Sequence, residues 1–231
     1  MLYNVSPDLF KRYPGYVRGV VVVTDAINIE GPIDEVARML KKTQEALRER
    51  TDLDDHSNIA AWRAAYSAFG ARPSKYPSSI EAMVKRVRKG GELPYINTLA
   101  ALGNIASLKN IVPVGGHDVG VCAEPLWLCL AEGSETFTPF GTTEVEHPEP
   151  GEVVYLCGRM VLCRRWTWRQ AELTKLTRAT THAAINVDGL PPVTRAQVEM
   201  ICEELATWTR MFCGAKAECK YLAEDSPLIE V

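Results

Sequence analysis

Between Leu93 and Asp118 the chain gathers the residue types that could position a small polar substrate. It reads Leu93-Pro94-Tyr95-Ile96-Asn97, runs apolar to Leu108, then passes Pro113-Val114-Gly115-Gly116-His117-Asp118. Apolar density without an internal proline predicts a helix from about Ile96 to Lys109, bounded by Pro94 and Pro113. Asn97, Ala100, Ala101 and Asn104 then fall at i, i+3, i+4 and i+7, so two amides and two alanines share one stripe. Such a stripe lets another backbone approach closely, and its amides need hydrogen-bond partners once buried. Two readings stand side by side: Asn97 caps the helix and Asn104 ties down a core loop, or both face a ligand. Gly115-Gly116-His117-Asp118 reads as the turn nearest this stripe. Its amides could steady a developing oxyanion, His117 could act as a base near neutral pH, and Asp118 could orient it or hold the turn. The spacing places all six residues on one pocket.

The elements around this stretch follow from periodicity and punctuation. Ser6-Pro7 starts a short helix that ends before Pro14, and Tyr16 to Ile27 reads as a buried strand around Val20-Val21-Val22-Val23. Gly31-Pro32 opens a helix with Ile33, Val36, Leu40 and Leu47 inward and Lys41, Lys42, Glu45 and Glu49 outward. The next helix carries Trp62, Ala65, Tyr66 and Phe69 on one stripe and stops at Gly70; the stripe reads as core, with Arg63 and Tyr66 the residues whose polar ends could reach a pocket. Ser78-x-x-Glu81 reads as a capping box for a helix whose outer face bears Lys85, Arg86, Arg88 and Lys89, cations that complement its C-terminal dipole.

These residues carry a resemblance to the B3/B4 domain of the phenylalanyl-tRNA synthetase β subunit, the domain that hydrolyses wrongly charged tRNA. That family's stretch runs Pro-Ile-Asn, a second Asn seven residues on, a Pro nine after that, then Met-His-Ala-Phe-Asp. Ile96-Asn97, Asn104, Pro113 and Val114-Gly115-Gly116-His117-Asp118 match those intervals without a gap, and Ser79, Arg86 and Gly90 stand where the family has Ser, Arg and Gly upstream. The chain departs from the pattern at the family's editing-site His, which falls on Gly115, while His117 takes the place of its Phe and Asp118 that of its Asp. The family's editing-site Glu falls near Arg169 and Gln170, where no acid stands. A group of free-standing B3/B4-like proteins with Trp-Arg-x-Ala-Tyr, Phe-Gly and Gly-Gly-x-Asp signatures resembles this chain more closely, through Trp62-Arg63-Ala64-Ala65-Tyr66, Phe69-Gly70 and Gly115-Gly116-His117-Asp118. The resemblance is densest over Trp62 to Asp118 and extends over most of the rest.

After Asp118 short apolar segments alternate with Gly, Pro and Thr, the texture of strands and turns; Leu126 to Leu130, Val153 to Leu156 and Met160 to Cys163 are the strand candidates. Charge is lopsided here. Glu124 to Glu152 holds seven Glu and no Lys or Arg, whereas Arg159, Arg164, Arg165, Arg169, Lys175 and Arg178 follow with only Glu172 opposing them. Arg164-Arg165-Trp166-Thr167-Trp168-Arg169 interleaves cations with indoles, which suits phosphate contact and base stacking, and equally describes a strand with one buried face. Thr194-x-x-Gln197 after Pro191-Pro192 is a capping box for a C-terminal helix of about residues 194–213, stopped by Gly214.

At 231 residues with a net charge of −3, the chain is long enough for a substantial core, and no repeat or linker divides it. No apolar run reaches the length of a membrane span, and the N-terminus lacks the basic-then-apolar order of a secretory leader. Seven cysteines without a Cys-x-x-Cys pair fit a reducing, cytoplasmic setting. His56, His117, His147 and His182 are scattered singly, so no metal or cofactor is expected. The expectation is one α+β, B3/B4-like domain: a helix-rich first half (1–118), a strand-rich second half (119–190), and mixed sheets in a sandwich-like core flanked by helices. No nucleotide-binding glycine motif, serine elbow or adenylate-forming machinery is identified, so nucleotide-binding, serine-hydrolase and ligase readings lack support. The resemblance implies hydrolysis of a mischarged aminoacyl-tRNA in trans. Binding of tRNA without chemistry, through Arg164 to Arg169, and binding of an amino acid or other small molecule are the alternatives.

Overall fold

The computed structural model describes residues 1–28 and 31–231. Strand β1 (Leu2–Val5), helix α1 (Pro7–Arg12) and strand β2 (Val17–Thr24) precede four helices, α2 (Asp34–Glu49), α3 (Ser57–Ala68), α4 (Ser79–Arg88) and α5 (Thr98–Asn110). Six strands follow: β3 (Val114–Asp118), β4 (Leu126–Leu130), β5 (Val153–Cys157), β6 (Met160–Arg164), β7 (Arg169–Gln170) and β8 (Ala183–Gly189). Helix α6 (Arg195–Cys213) and strands β9 (Lys216–Leu222) and β10 (Leu228–Glu230) complete the chain.

The strands form two sheets in an α+β fold. A six-stranded sheet runs β10-β1-β4-β5-β6-β7 and is mixed, because β1 pairs with β4 in parallel and with β10 antiparallel. A four-stranded antiparallel sheet runs β3-β8-β2-β9. Strand alternation divides the residues of β2 between two cores. Val20 and Val22 face the other sheet and join Tyr3, Leu128, Tyr155 and Leu162, with Trp62 and Trp166 closing the end. Val21 and Val23 face the opposite way, onto α5 and α6, with Leu102, Ile105, Ile201 and Leu205. Each core draws on both halves of the chain, so no division falls near Gly120.

The aromatic stripe of α3 is core. Trp62 and Tyr66 are buried, and the Trp62 and Trp166 rings meet edge to face at 5.0 Å, a contact worth about 1 kcal/mol beyond its area. The Thr194-x-x-Gln197 box forms as expected at the start of α6. At α4 only half of the box exists: Ser78 caps the Glu81 amide, but the Glu81 carboxylate turns to Arg63 and Lys85 at 2.9 and 2.7 Å. An ion pair on each side outcompetes a bond back to the cap.

The largest departure from expectation is β3. Gly115-Gly116-His117-Asp118 is a strand, paired antiparallel to β8 in the register Gly115↔Asn186, Gly116↔Ile185, His117↔Ala184. The two glycines read as a turn, yet neither has a positive φ. Only Gly116 is needed for space. A Cβ on Gly116 would lie 2.5 Å from Leu176 Cδ1, while one on Gly115 would meet nothing within 4 Å.

Candidate functional site

Strand β3 is the outer strand of its sheet, and two chambers flank it. The outer one, about 420 Å³, lies between α5 and the 170–178 segment, bounded by Asn97, Gly103, Asn104, Gly115, Gly116 and Leu176, with Phe140, Lys175 and Arg178 also on its wall. The inner one, about 160 Å³, lies between the two sheets, lined by Arg18, His117, Tyr155, Asn186 and Asp188 among others. Val114, Gly115 and Gln170 belong to both, so the chambers meet at the strand edge.

The polar groups of the outer chamber are largely committed. Asn97 caps α5, accepting from the Ala100 amide at 2.9 Å, while its Nδ2 donates to the Leu176 carbonyl at 2.9 Å. Both the capping reading and the pocket reading therefore hold for this residue. Asn104 faces the chamber two turns further on, with no hydrogen-bond partner among the described residues. Gln170 Nε2 donates to the Gly116 carbonyl at 2.8 Å and to the Thr174 carbonyl at 3.0 Å. In an antiparallel strand a residue's C=O and N–H point to the same side, so the Gly116 N–H also points away from β8, toward the chambers. It has no protein acceptor among the described residues, whereas the Gly115 amide faces the β8 ladder.

Because the segment is a strand and not a turn, neighbouring residues diverge. Asn97, Asn104, Gly115 and Gly116 share the outer chamber as expected. His117 does not; it lies with Gly115 on the inter-sheet face, 4% exposed, its ring edge to face with Tyr155 at 4.9 Å. Asp118 lines neither chamber. Its carboxylate accepts from Thr180 Oγ1 at 2.7 Å and from the Gly120 amide at 3.1 Å, holding the loop that leaves β3. The pairing of His117 as base with Asp118 as orienter is thus corrected, since the pleat sends them to opposite faces. Arg63 and Tyr66 lie outside both chambers: Arg63 holds Glu81, and the Tyr66 hydroxyl meets Thr167 Oγ1 at 3.0 Å.

Burial and the Arg18 guanidinium push the His117 pKa down to about 3, so the ring is neutral. Thr174 Oγ1 lies 2.9 Å from Nδ1 and is its hydrogen-bond partner, the two Nε2 protons of Gln170 being spent on the Gly116 and Thr174 carbonyls. The folded value lies below the ordinary 6.5, so the unfolded chain binds the proton first. The stability this neutral ring contributes is complete above pH 6.5 and is lost as pH falls toward 3, at up to about 1.4 kcal/mol per pH unit. Urea unfolding at a series of pH values checks this: His117→Asn loses up to one proton's worth of that slope, and an unchanged slope would contradict it.

Sequence spacing missed the inner chamber's buried polar network. Arg18, 2% exposed, donates Nε and Nη2 to the two Asp188 oxygens at 2.7 and 3.0 Å. Tyr16 also donates to Asp188, Arg18 Nη1 reaches the Tyr3 hydroxyl, and Tyr3 donates to Asn186 Oδ1 at 3.3 Å. Burial opposes the Arg18 charge and Asp188 more than restores it, holding the pKa above the ordinary arginine value. One signal was present: Arg18 is a lone charge in the apolar run Tyr16-Val17-Arg18-Gly19-Val20, and a charge inside a buried strand needs a partner.

The Arg164–Arg169 segment is a hairpin folded inward, so its reading as an open RNA-binding tract is also corrected. Arg164 is buried, fixed by Glu152 at 3.0 and 2.8 Å and by Glu146 at 2.9 Å. Arg165 is buried against Glu152, with its guanidinium 3.8 Å from the Tyr76 ring centroid and 4.7 Å from that of Trp168. Trp166 is 1% exposed and packs on Trp62, Tyr13 and Tyr16. Trp168 and Arg169 alone keep partial exposure, and Arg169 lies near Glu146. The acidic stretch before this segment supplies its counter-charges. Among the described residues no group of three or more His, Cys, Asp or Glu could hold a metal ion, and no helix is long and apolar enough to cross a membrane.

This two-sheet fold, with its chambers around β3, falls within a known class. The B3/4 domain family model matches residues 61–207, and the chain belongs to that family. Among solved structures, an N-terminal fragment of the phenylalanyl-tRNA synthetase β-subunit from Pyrococcus horikoshii is similar at 15% identity, with a TM-score of 0.47 over 93% of this chain. This chain spans 49% of that fragment. No curated protein matches.

Proposed function

We propose that this protein hydrolyses the ester of a mischarged aminoacyl-tRNA in trans, at the edge of β3. The observation that carries the reading is the outward Gly116 N–H, placed where two chambers of unequal size and character meet. The outer chamber, with Phe140 on its wall and Lys175 and Arg178 beside it, suits a terminal nucleoside and its phosphate. The inner chamber suits the smaller aminoacyl group. The ester carbonyl then lies between them, within reach of Gly116.

In this reaction water adds to the ester carbonyl carbon, the bond to the ribose oxygen breaks, and that oxygen takes the proton the water gives up. Free amino acid and uncharged tRNA result. The Gly116 N–H stabilises the oxyanion of the tetrahedral intermediate, a kind of contact worth about 2.7–4 kcal/mol where it has been removed elsewhere. The Asn104 amide orients the attacking water. Among the described residues no carboxylate or imidazole lines the outer chamber, so positioning and polarisation carry the reaction. His117, neutral and enclosed, is a wall of the inner chamber in this scheme.

The test is a panel of mischarged tRNAs incubated with the purified protein, with release of amino acid measured at concentrations that saturate tRNA binding. Deacylation of a subset is the expected result. If every member stays intact while tRNA binds in a salt-dependent manner, the protein is a binding module and the hydrolytic reading is wrong.

A further inference from the structure

The inner chamber carries information on which aminoacyl group it takes, and this inference rests on the reading just given. Its wall offers an imidazole, a carboxamide and a hydroxyl. His117 Nδ1 pairs with the Thr174 hydroxyl at 2.9 Å, and with that hydroxyl as donor the ring's Nε2 presents a proton to the chamber. The Asn186 carbonyl oxygen is taken by Tyr3, and its Nδ2 has no protein partner among the described residues. The buried Tyr155 hydroxyl, on a residue of the same wall, has no partner at hydrogen-bonding geometry among the described residues and can donate or accept. The one carboxylate among the described residues that line it, Asp188, is already filled by Arg18 and Tyr16. Buried donors without acceptors are costly unless a ligand or water supplies an oxygen.

Charge and size narrow the ligand further. Arg18 and Asp188 are a bidentate pair, so the chamber is neutral as a whole and offers no net cation to a carboxylate. Its volume of about 160 Å³ is well below the roughly 300–1,000 Å³ of pockets that enclose drug-sized ligands, so it admits a short group only.

We infer that the inner chamber is a specificity pocket for a short, uncharged aminoacyl side chain ending in an oxygen acceptor, a hydroxyl or a carboxamide, and that His117 Nε2 and Asn186 Nδ2 are the groups that read it. Threonine and valine have the same shape and differ by that oxygen; asparagine and aspartate have the same shape and differ by charge. The pocket therefore prefers threonyl to valyl and asparaginyl to aspartyl.

The experiment uses 3′-aminoacylamino-3′-deoxyadenosines, in which an amide replaces the ester and prevents turnover, bearing threonine, valine, asparagine, aspartate or phenylalanine. Binding to the full chain is measured by calorimetry. Threonyl should bind at least about ten-fold tighter than valyl, since a site built to pair a hydroxyl rejects the analogue lacking it. In Asn186→Ala that ratio should fall toward one, with valyl affinity unchanged. If valyl or phenylalanyl binds as tightly as threonyl, or aspartyl as tightly as asparaginyl, the specificity inference falls and the deacylation reading stands. If no analogue binds, both fall together. The wild-type threonyl-to-valyl ratio decides the question even if Asn186→Ala fails to fold.

Discussion

Asp188→Ala lowers the stability of this protein by about 3–5 kcal/mol, the cost of leaving one member of a buried ion pair charged and alone. The partner left behind is Arg18, 2% exposed and without a second carboxylate in contact among the described residues. Tyr16 loses its acceptor as well. Chemical denaturation followed by circular dichroism measures the loss. The double variant Arg18→Met, Asp188→Leu, which removes both charges and keeps much of the volume, should recover most of it, because a pair of charges gains little over well-packed apolar groups. A loss below about 1 kcal/mol for Asp188→Ala would mean that water already enters the inter-sheet space and screens the guanidinium.

Gly115→Phe gives the opposite pattern, function lost and fold kept. A Cβ at this position meets nothing within 4 Å, and the backbone is in the extended region any residue adopts. The ring enters the inner chamber and fills it. Unfolding stability should change by no more than about 1 kcal/mol, whereas affinity for every aminoacyl-adenosine analogue should drop at least about a hundred-fold, which is roughly 2.7 kcal/mol. Retained affinity would place the aminoacyl group elsewhere. Gly116→Phe is the control: its side chain points at Leu176 and must displace it, so both stability and binding suffer.

How far the sequence revealed this arrangement depends on the kind of signal each part carries. The helices were legible because amphipathic periodicity and caps are local. Asn97 and Thr194 do what their positions imply, and Glu81 departs from its box because Lys85 and, 18 residues away, Arg63 both reach it. Strand β8 was invisible: Ala183–Gly189 is buried throughout, so it shows no alternation, and Asn186 and Asp188 interrupt its apolar run. Strand β3 was read as a turn because glycine signals both tight turns and close approach. That one error moved His117 and Asp118 into the wrong place. The four residues of the outer chamber were found because α5 presents two of them and β3 follows closely. Arg18 and Asp188 lie 170 residues apart, and no local pattern links them. The Arg164–Arg169 segment was ambiguous because alternation of Trp and Arg fits a solvated face and a buried hairpin equally. Glu152 decides between the two, binding both arginines.

The edge of β3 has one more consequence, for association. An outer strand with open backbone groups invites another chain to add to the sheet, and proteins blunt such edges to avoid aggregation. Here the blunting comes from within. Gln170 occupies the Gly116 carbonyl, and the Thr174 carbonyl occupies the Asp118 amide, so a peptide laid along β3 would find two of its required partners taken. At the far side of the sheet β9 carries Lys216, Glu218 and Lys220 in alternation, charges that oppose strand addition there. The 170–174 segment therefore closes the sheet to extended polypeptide while leaving the Gly116 N–H open, which admits a compact carbonyl compound and turns away a strand.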